Sequence, residues 1–342
     1  MSTTRWAMVG TGLMLDLIGH DFALTENVDL RVIVSRTQER ADEMAAKFGF
    51  PEGSGDFEAV LARDDIDVVY IATPHTEHLR QAIAAIDAGK HVLVEKPMTT
   101  CAADTRRLCE HAAANGRFAM EAMWMAFNPA IVEARRRIAD GVIGDVRFLH
   151  ANFCFALPYI EGWRMWAKDL AGGSTLDQGV YALSLAHMIL GTPSSIAGRG
   201  TLEHEVDSEV ATTLEFPSGA RATCLTSLRA VSPLNAYIGG TTGYLDINGP
   251  FWSTDGFAVR SAAIAFGCGW VRCRKRLAGP DLRLASKCTG WRPSPPAQGS
   301  VVADAWIIHQ DVRQVLHRCA AGQPHRLVKL EQLLAEMHGD AD

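Results

Sequence analysis

Short apolar runs alternate with helical patterns from residue 5 to residue 121, and this alternation constrains the fold more than any other feature. Strand-like runs occupy 5–9, 30–34, 67–73, 91–95 and 117–121, while helical patterns follow Gly12 and cover 39–48, 77–88 and 102–115. Asp67-Val-Val-Tyr-Ile-Ala-Thr73 is apolar over consecutive positions, as a strand must be when both its faces are covered. Strand and helix in strict turn call for a doubly wound parallel sheet with right-handed crossovers. Gly49 and Gly89 stand just past helical patterns, where a left-handed residue ends a helix.

The rhythm changes near residue 123. Helical patterns over 129–140 and 175–190 are joined by strand-like segments at 145–155, 209–216, 220–228, 235–239 and 243–247. Pro217-Ser-Gly219 separates two of these and predicts an antiparallel hairpin. With 342 residues, 48% of them hydrophobic, the chain has material for two cores. The expected architecture is an α/β dinucleotide-binding domain over 1–122, then an α+β domain over 123–342 built on a large, mostly antiparallel, open-faced sheet.

A net charge of −6 gives no electrostatic basis for binding nucleic acid or an anionic membrane. No run approaches the roughly 20 apolar residues of a membrane helix. Met1 is followed by no long apolar signal core, and the eight cysteines form no CxxC pair. The expectation is a cytoplasmic protein with reduced thiols. No metal site is expected, since Cys268, Cys273 and Cys288 lack paired spacing. Residues 262–300 show neither periodicity, and the basic run 272–276 reads as a solvated loop. Helical patterns resume at 304–321 and 329–338.

Gly10-Thr11-Gly12 lies between the first strand and the first helical pattern, where a Rossmann fold binds pyrophosphate. The first glycine permits the tight turn, and the second lets backbone approach the phosphates at the helix N-terminus, beside Leu13 and Met14. Leu15 departs from the pattern, because a small residue usually stands there. The second strand ends in Ser35-Arg36, with Arg40 beyond, and carries no acid for a ribose 2′-hydroxyl. A hydroxyl and two guanidinium groups suit a 2′-phosphate, so NADP(H) is expected in preference to NAD(H).

Longer motifs carry a resemblance: Ile71-Ala-Thr-Pro-His-Thr-Glu-His78, Glu95-Lys96-Pro97, Glu121-Ala-Met-Trp-Met-Ala-Phe-Asn-Pro129, Gly141-x-x-Gly144, Gly162-Trp-Arg164 and Gly172-Gly-Ser-Thr-Leu-Asp177-Gln-Gly-Val-Tyr181. In this order and spacing, over roughly residues 5–250, the chain resembles the glucose–fructose oxidoreductase / inositol dehydrogenase / MocA (Gfo/Idh/MocA) family. It looks most like the dihydrodiol dehydrogenase and sugar dehydrogenase branch. The resemblance implies hydride transfer between a nicotinamide and a carbinol carbon of a sugar, polyol or cyclic diol. It also implies a homodimer or higher homo-oligomer formed through the open face of the C-terminal sheet. Thr73, Pro74, His75, His78, Glu95 and Lys96 are then expected near the cofactor, and Trp163 and Arg164 near the substrate. Ala126 stands where a basic residue is common in the branch, and many members carry His in place of Tyr181. Residues 262–300 do not resemble the family's final strands, so they are either a divergent loop or the product of a disturbed reading frame.

Oxidising a carbinol needs a base for the hydroxyl proton, and reduction needs the same group as an acid. Lys96 follows a strand at the edge where doubly wound sheets bind ligands. A cation there can polarise a carbonyl, hold an alkoxide, or favour the ionised form of a neighbouring phenol. Asp177 and Tyr181 are spaced to share one face of a helix, after a Gly172-Gly173 pair that can pass close to a ligand. The catalytic candidates are Lys96, Asp177 and Tyr181, with either Lys96 or Tyr181 as the acid/base. His187, six residues past Tyr181, reads as structural. Three readings follow: an NADP(H)-dependent dehydrogenase or reductase acting on a sugar, sugar-like ketone or cyclic diol; a keto-sugar (1,5-anhydrofructose-type) reductase; or a nucleotide-sensing regulator without turnover. A sensor needs no proton donor, so Lys96, Asp177 and Tyr181 together favour an enzyme.

Overall fold

The computed structural model describes residues 3–261, except Leu24, Glu26 and Asn27, together with Val328 and Lys329. Described residues through Ala122 form one compact unit, and those from Met123 onward form another.

The first unit runs β1 (Thr4–Val9), α1 (Leu13–Ala23), β2 (Val28–Val34), α2 (Gln38–Phe48), β3 (Gly53–Ser54), α3 (Phe57–Leu61), β4 (Val68–Ile71), α4 (His78–Asp87), β5 (His91–Glu95), α5 (Ala102–Ala114) and β6 (Ala119–Ala122). Its six strands pair in the order β3-β2-β1-β4-β5-β6, every pair parallel. Ala7, Met8 and Val9 are all buried, as are Val69, Tyr70 and Ile71. Consecutive strand residues point to opposite faces, so both faces of this sheet are covered. Helix α2 shows how the local sequence acts: the Thr37 hydroxyl accepts the Arg40 N–H, and Gly49 at φ 75° closes the far end. Between them Ala41, Met44, Ala45 and Phe48 are buried at helical spacing.

The departure at Leu15 has a local answer. Leu15 is fully buried in the core with Met8, Ile33, Met44, Phe48 and Tyr70. The small residue stands one turn later, at Gly19, where a Cβ would come within 2.7 Å of the Phe48 ring and 3.1 Å of Leu15.

The second unit contains α6 (Pro129–Ala139), β7 (Val146–Cys154), a π-helical turn (Thr175–Gly179), α7 (Val180–Leu190), β8 (Ser195–Glu203), β9 (Val206–Glu215), β10 (Arg221–Ser227), β11 (Ala236–Gly240), β12 (Gly243–Ile247), β13 (Phe257–Ser261) and β14 (Val328–Lys329). The strands pair in the order β13-β12-β11-β7-β10-β9-β8-β14, with only β7 and β10 parallel. Burial alternates along β9 and β10, the mark of a sheet with one covered face. Leu149, Ala151, Val210, Leu214, Ala222, Ile238 and Leu245 join Leu183 and Ala186 of α7 in one core. On the opposite side Phe148, Leu225, Tyr237 and Tyr244 are exposed.

Several expectations need correction. The helix expected over 175–190 begins with a π turn and becomes α-helical only at Val180. The helix expected over 329–338 does not hold at Lys329, which pairs with Ser195 in the sheet, while the rest of that segment lies outside the described residues. Strand β8 escaped notice because Ser-Ile-Ala-Gly-Arg-Gly-Thr-Leu-Glu has two glycines and little alternation. Segments 262–300 and 304–321, with Cys268, Cys273 and Cys288, lie outside the described residues. No helix among the described residues is long and apolar enough to cross a membrane.

Candidate active site

In the first unit the strand order reverses between β1 and β4, and doubly wound sheets bind ligands at the carboxyl ends of strands flanking such a point. Gly10 lies there with φ 117°, and a Cβ on it would sit 2.4 Å from the Ala72 carbonyl oxygen. Only glycine fits. Gly12 is different: a Cβ there would meet no protein atom within 4 Å, so the protein itself does not require glycine. The room left beside the start of α1 fits an approaching pyrophosphate. Leu13 is largely exposed at that helix start, and Met14 is half-buried.

The Thr11 and Ser35 hydroxyls are hydrogen-bonded at 3.0 Å. Arg40 donates from Nη2 to the Thr11 carbonyl oxygen at 3.3 Å and pairs through Nη1 with Glu43 at 2.7 Å. Ser35 and Arg40 are therefore gathered at the glycine turn, with Arg36 exposed at the end of β2. A hydroxyl and two guanidinium-bearing side chains thus lie between the glycine turn and the end of β2.

Two loops of the same unit are tied together beneath this edge. His78, wholly buried, sets Nδ1 2.9 Å from the Pro97 carbonyl oxygen and Nε2 2.9 Å from that of Thr73. Its ring braces the two loops from inside. The Thr73 hydroxyl donates to Gln81 at 2.6 Å, and buried His75 packs its ring against His78. Pro74 leads into the 3-10 turn that precedes α4. Glu95 is also buried, with Oε1 accepting the Tyr70 hydroxyl at 2.5 Å and Oε2 accepting the Lys96 N–H at 3.1 Å. Glu121 accepts the Met98 N–H at 2.9 Å. The half-buried Lys96 thus stands on a loop whose backbone two buried carboxylates hold.

In the second unit Asp177 lies in the π turn, where the wider winding removes the simple stacking expected of an i,i+4 α-helical pair. Its Oδ1 accepts from Arg164 Nη2 at 2.8 Å, so two sequence candidates are brought into contact. Tyr181, in the first turn of α7, accepts from the Trp124 indole N–H at 3.0 Å. The Tyr181 ring packs among Phe153, Trp252 and Trp124, and Phe153 stacks on Trp252 at 3.7 Å. Trp124 and Trp252 went unassigned in the sequence; Trp124 stood inside a quoted motif, while nothing in the sequence marked Trp252.

The loop carrying Trp163 and Arg164 is anchored by aromatic contacts. Trp166 donates to the Pro158 carbonyl oxygen at 2.9 Å, and Tyr159 stacks on His204 at 3.7 Å. His204 and Glu205 form a hairpin tip with φ 50° and 64°, the twist a tight β-turn demands and one that non-glycine residues adopt at some cost. The stack, with a Lys168–Glu205 ion pair at 2.7 Å, holds that tip against the loop. Trp163 is about one-third exposed (36%). His187 is buried in α7.

Both halves of the described fold are similar to those of known oxidoreductases. Residues 4–123 match the model of an oxidoreductase family with an NAD-binding Rossmann fold, and residues 131–246 match the GFO/IDH/MocA C-terminal domain. The chain is 34% identical over 252 residues to the trans-1,2-dihydrobenzene-1,2-diol dehydrogenase of Mus musculus, covering 71% of this chain and 74% of that one. Among solved structures it resembles a 3-ketoreductase from Actinomadura kijaniata in complex with NADP and TDP-benzene. That likeness has 28% identity and a TM-score of 0.67, over 73% of this chain and 78% of the other. An aldose-aldose oxidoreductase from Caulobacter crescentus matches with 25% identity and a TM-score of 0.70, over 98% and 95% of the two chains. With both halves of its described fold matched and the glycine turn in place, the chain is an NAD(P)-dependent oxidoreductase and belongs to the GFO/IDH/MocA family.

Proposed function

We propose that this oxidoreductase works with NADP(H) on a carbinol or carbonyl carbon of a small polyhydroxylated substrate, namely a sugar, a sugar-like ketone or a cyclic diol. The nicotinamide supplies or accepts the hydride. Gly10, Gly12, Leu13 and Met14 hold the pyrophosphate, and Ser35, Arg36 and Arg40 the 2′-phosphate. The braced loops bearing Thr73, Pro74, His75, His78, Glu95 and Lys96 shape the cofactor edge. Tyr181 exchanges the substrate proton, Lys96 favours its ionised form or polarises the substrate oxygen, and Asp177, Arg164 and Trp163 orient the substrate.

The observation that carries this reading is the hydrogen bond from Trp124 to the Tyr181 oxygen. A donor on the phenol oxygen stabilises the phenolate and turns the hydroxyl proton toward another acceptor, as a proton carrier requires. Trans-dihydrodiols and free sugars, screened with NADP+, test it. Tyr181→Phe should slow turnover about a hundredfold or more while sparing NADPH affinity. A Phe variant with full turnover would remove Tyr181 from the chemistry.

Likeness to a 3-ketoreductase supports a second reading, in which the working direction is reduction of a keto sugar. NADPH consumption with keto sugars, and none of NADP+ with diols, would select it. The thiols at Cys101, Cys109, Cys154 and Cys224 suit a cytoplasmic setting. Exposed Phe148, Leu225, Tyr237 and Tyr244 on the open sheet face support homodimerisation there. Sedimentation at micromolar concentration should find a dimer, and a monomer would overturn that assignment.

A further inference from the structure

Asp207, the second residue of β9, is 4% exposed and has no part in the chemistry above. A carboxylate so buried is costly unless donors answer its charge. Here they all come from the start of one helical segment. Oδ2 accepts the Thr175 N–H at 2.7 Å and the Ser174 hydroxyl at 3.0 Å. Having given its proton to Asp207, Ser174 can only accept from the Thr226 hydroxyl, 2.9 Å away, so the donors run in one direction. Oδ1 occupies the space that a side chain at residue 173 would need, since a Cβ on Gly173 would lie 2.2 Å from it.

These contacts reach the candidate site from two sides. Thr175 begins the π turn that holds Asp177 and leads into the turn of Tyr181. Gly172 and Gly173 donate their N–H groups to the carbonyl oxygens of Ala167 and Met165, at 2.9 and 3.0 Å, in the loop that carries Arg164. We infer that Asp207 is a positioning residue that fixes the π turn and the adjoining glycines, and through them the Arg164–Asp177 pair. This rests on the proposed roles of Asp177 and Tyr181 and adds the element that orients them.

Asp207→Ala and Asp207→Asn in the full chain test it. Asn can keep one oxygen facing Thr175 and Ser174, whereas Ala leaves both donors unanswered. In the Ala variant amide hydrogen exchange should quicken about tenfold across 174–181 and stay unchanged in β10, with the Asn variant close to wild type. With a substrate turned over by the wild type, and rates counted per NADPH-binding site, Ala should lower kcat about tenfold or more and raise KM. Asn should recover most of both, and NADPH affinity should hold in each. Mere destabilisation would lower the number of working sites without moving kcat or KM per site. Wild-type exchange across 174–181, or unchanged kcat and KM per site, in the Ala variant would overturn the inference. Asp177→Asn and Tyr181→Phe run alongside: full turnover in those would sink the proposed chemistry, while the exchange measurement would still decide on Asp207.

Discussion

The two units build their candidate sites from different material. The first works largely with backbone: a glycine turn against the Ala72 carbonyl, a helix start, and loops held by buried Glu95, Glu121 and His78. The second works with side chains, pairing Arg164 with Asp177 and Trp124 with Tyr181 across 13 and 57 residues of sequence. A backbone site needs small residues at fixed local spacing, and such spacing survives in the sequence as a motif. A side-chain site is assembled by tertiary structure, so its members can be seen in the sequence without their partners.

Lys96 offers the sharpest way to break this contrast, being a side chain of the first unit proposed to act in the chemistry. Lys96→Met should reduce turnover about a hundredfold to a thousandfold while NADPH still binds. Near-normal turnover would confine the first unit to holding the cofactor.

The two glycines sharpen it. Gly10→Ala forces a Cβ against the Ala72 carbonyl in a left-handed backbone, and should abolish NADPH binding and lower Tm. Gly12→Ala meets no protein atom within 4 Å, so Tm should hold while NADPH affinity falls about tenfold. Equal loss of stability in both would mean that Gly12, like Gly10, is required by the fold itself.

The smallest effect concerns acid stability of the first unit. Hydrogen bonds from the Arg5 guanidinium, at 2.6 and 3.0 Å, hold the Asp67 carboxyl down at about 2. A carboxylate depressed below its unfolded value, near 3.9, lends stability that is complete above that value and lost as pH falls through the folded one. Both side chains are about one-third exposed, at 35% and 33%, so the effect is modest. Arg5→Ala should lower Tm slightly above about pH 5, with the difference from wild type closing toward about pH 2. A difference that persists undiminished there would assign the effect to packing.

What the sequence conveyed follows the same division. Val69, Tyr70 and Ile71 are buried on both faces, so their strand stands out as unbroken apolar chain. Alternation marked β9 and β10, with the Pro217-Ser-Gly219 turn between them. The π turn was not legible, because the same residues suit an α-helix and the contact to Asp207 that holds its first N–H comes from β9, 32 residues on. Glu95 and His78 were seen as cofactor candidates, yet their bracing role depends on Tyr70, Pro97 and Thr73, which only the fold brings near. Trp252 had no signal at all, since its part is to stack on Phe153 from a segment about 100 residues away.

The proposed preference for the phosphorylated dinucleotide rests on Ser35, Arg36 and Arg40 of the first unit. Titration of the protein with NADPH and with NADH, followed by quenching of tryptophan fluorescence, tests it most directly. NADPH should bind at least about tenfold more tightly than NADH, with the preference lost in Arg36→Ala/Arg40→Ala. Equal affinity, or tighter binding of NADH, would contradict it.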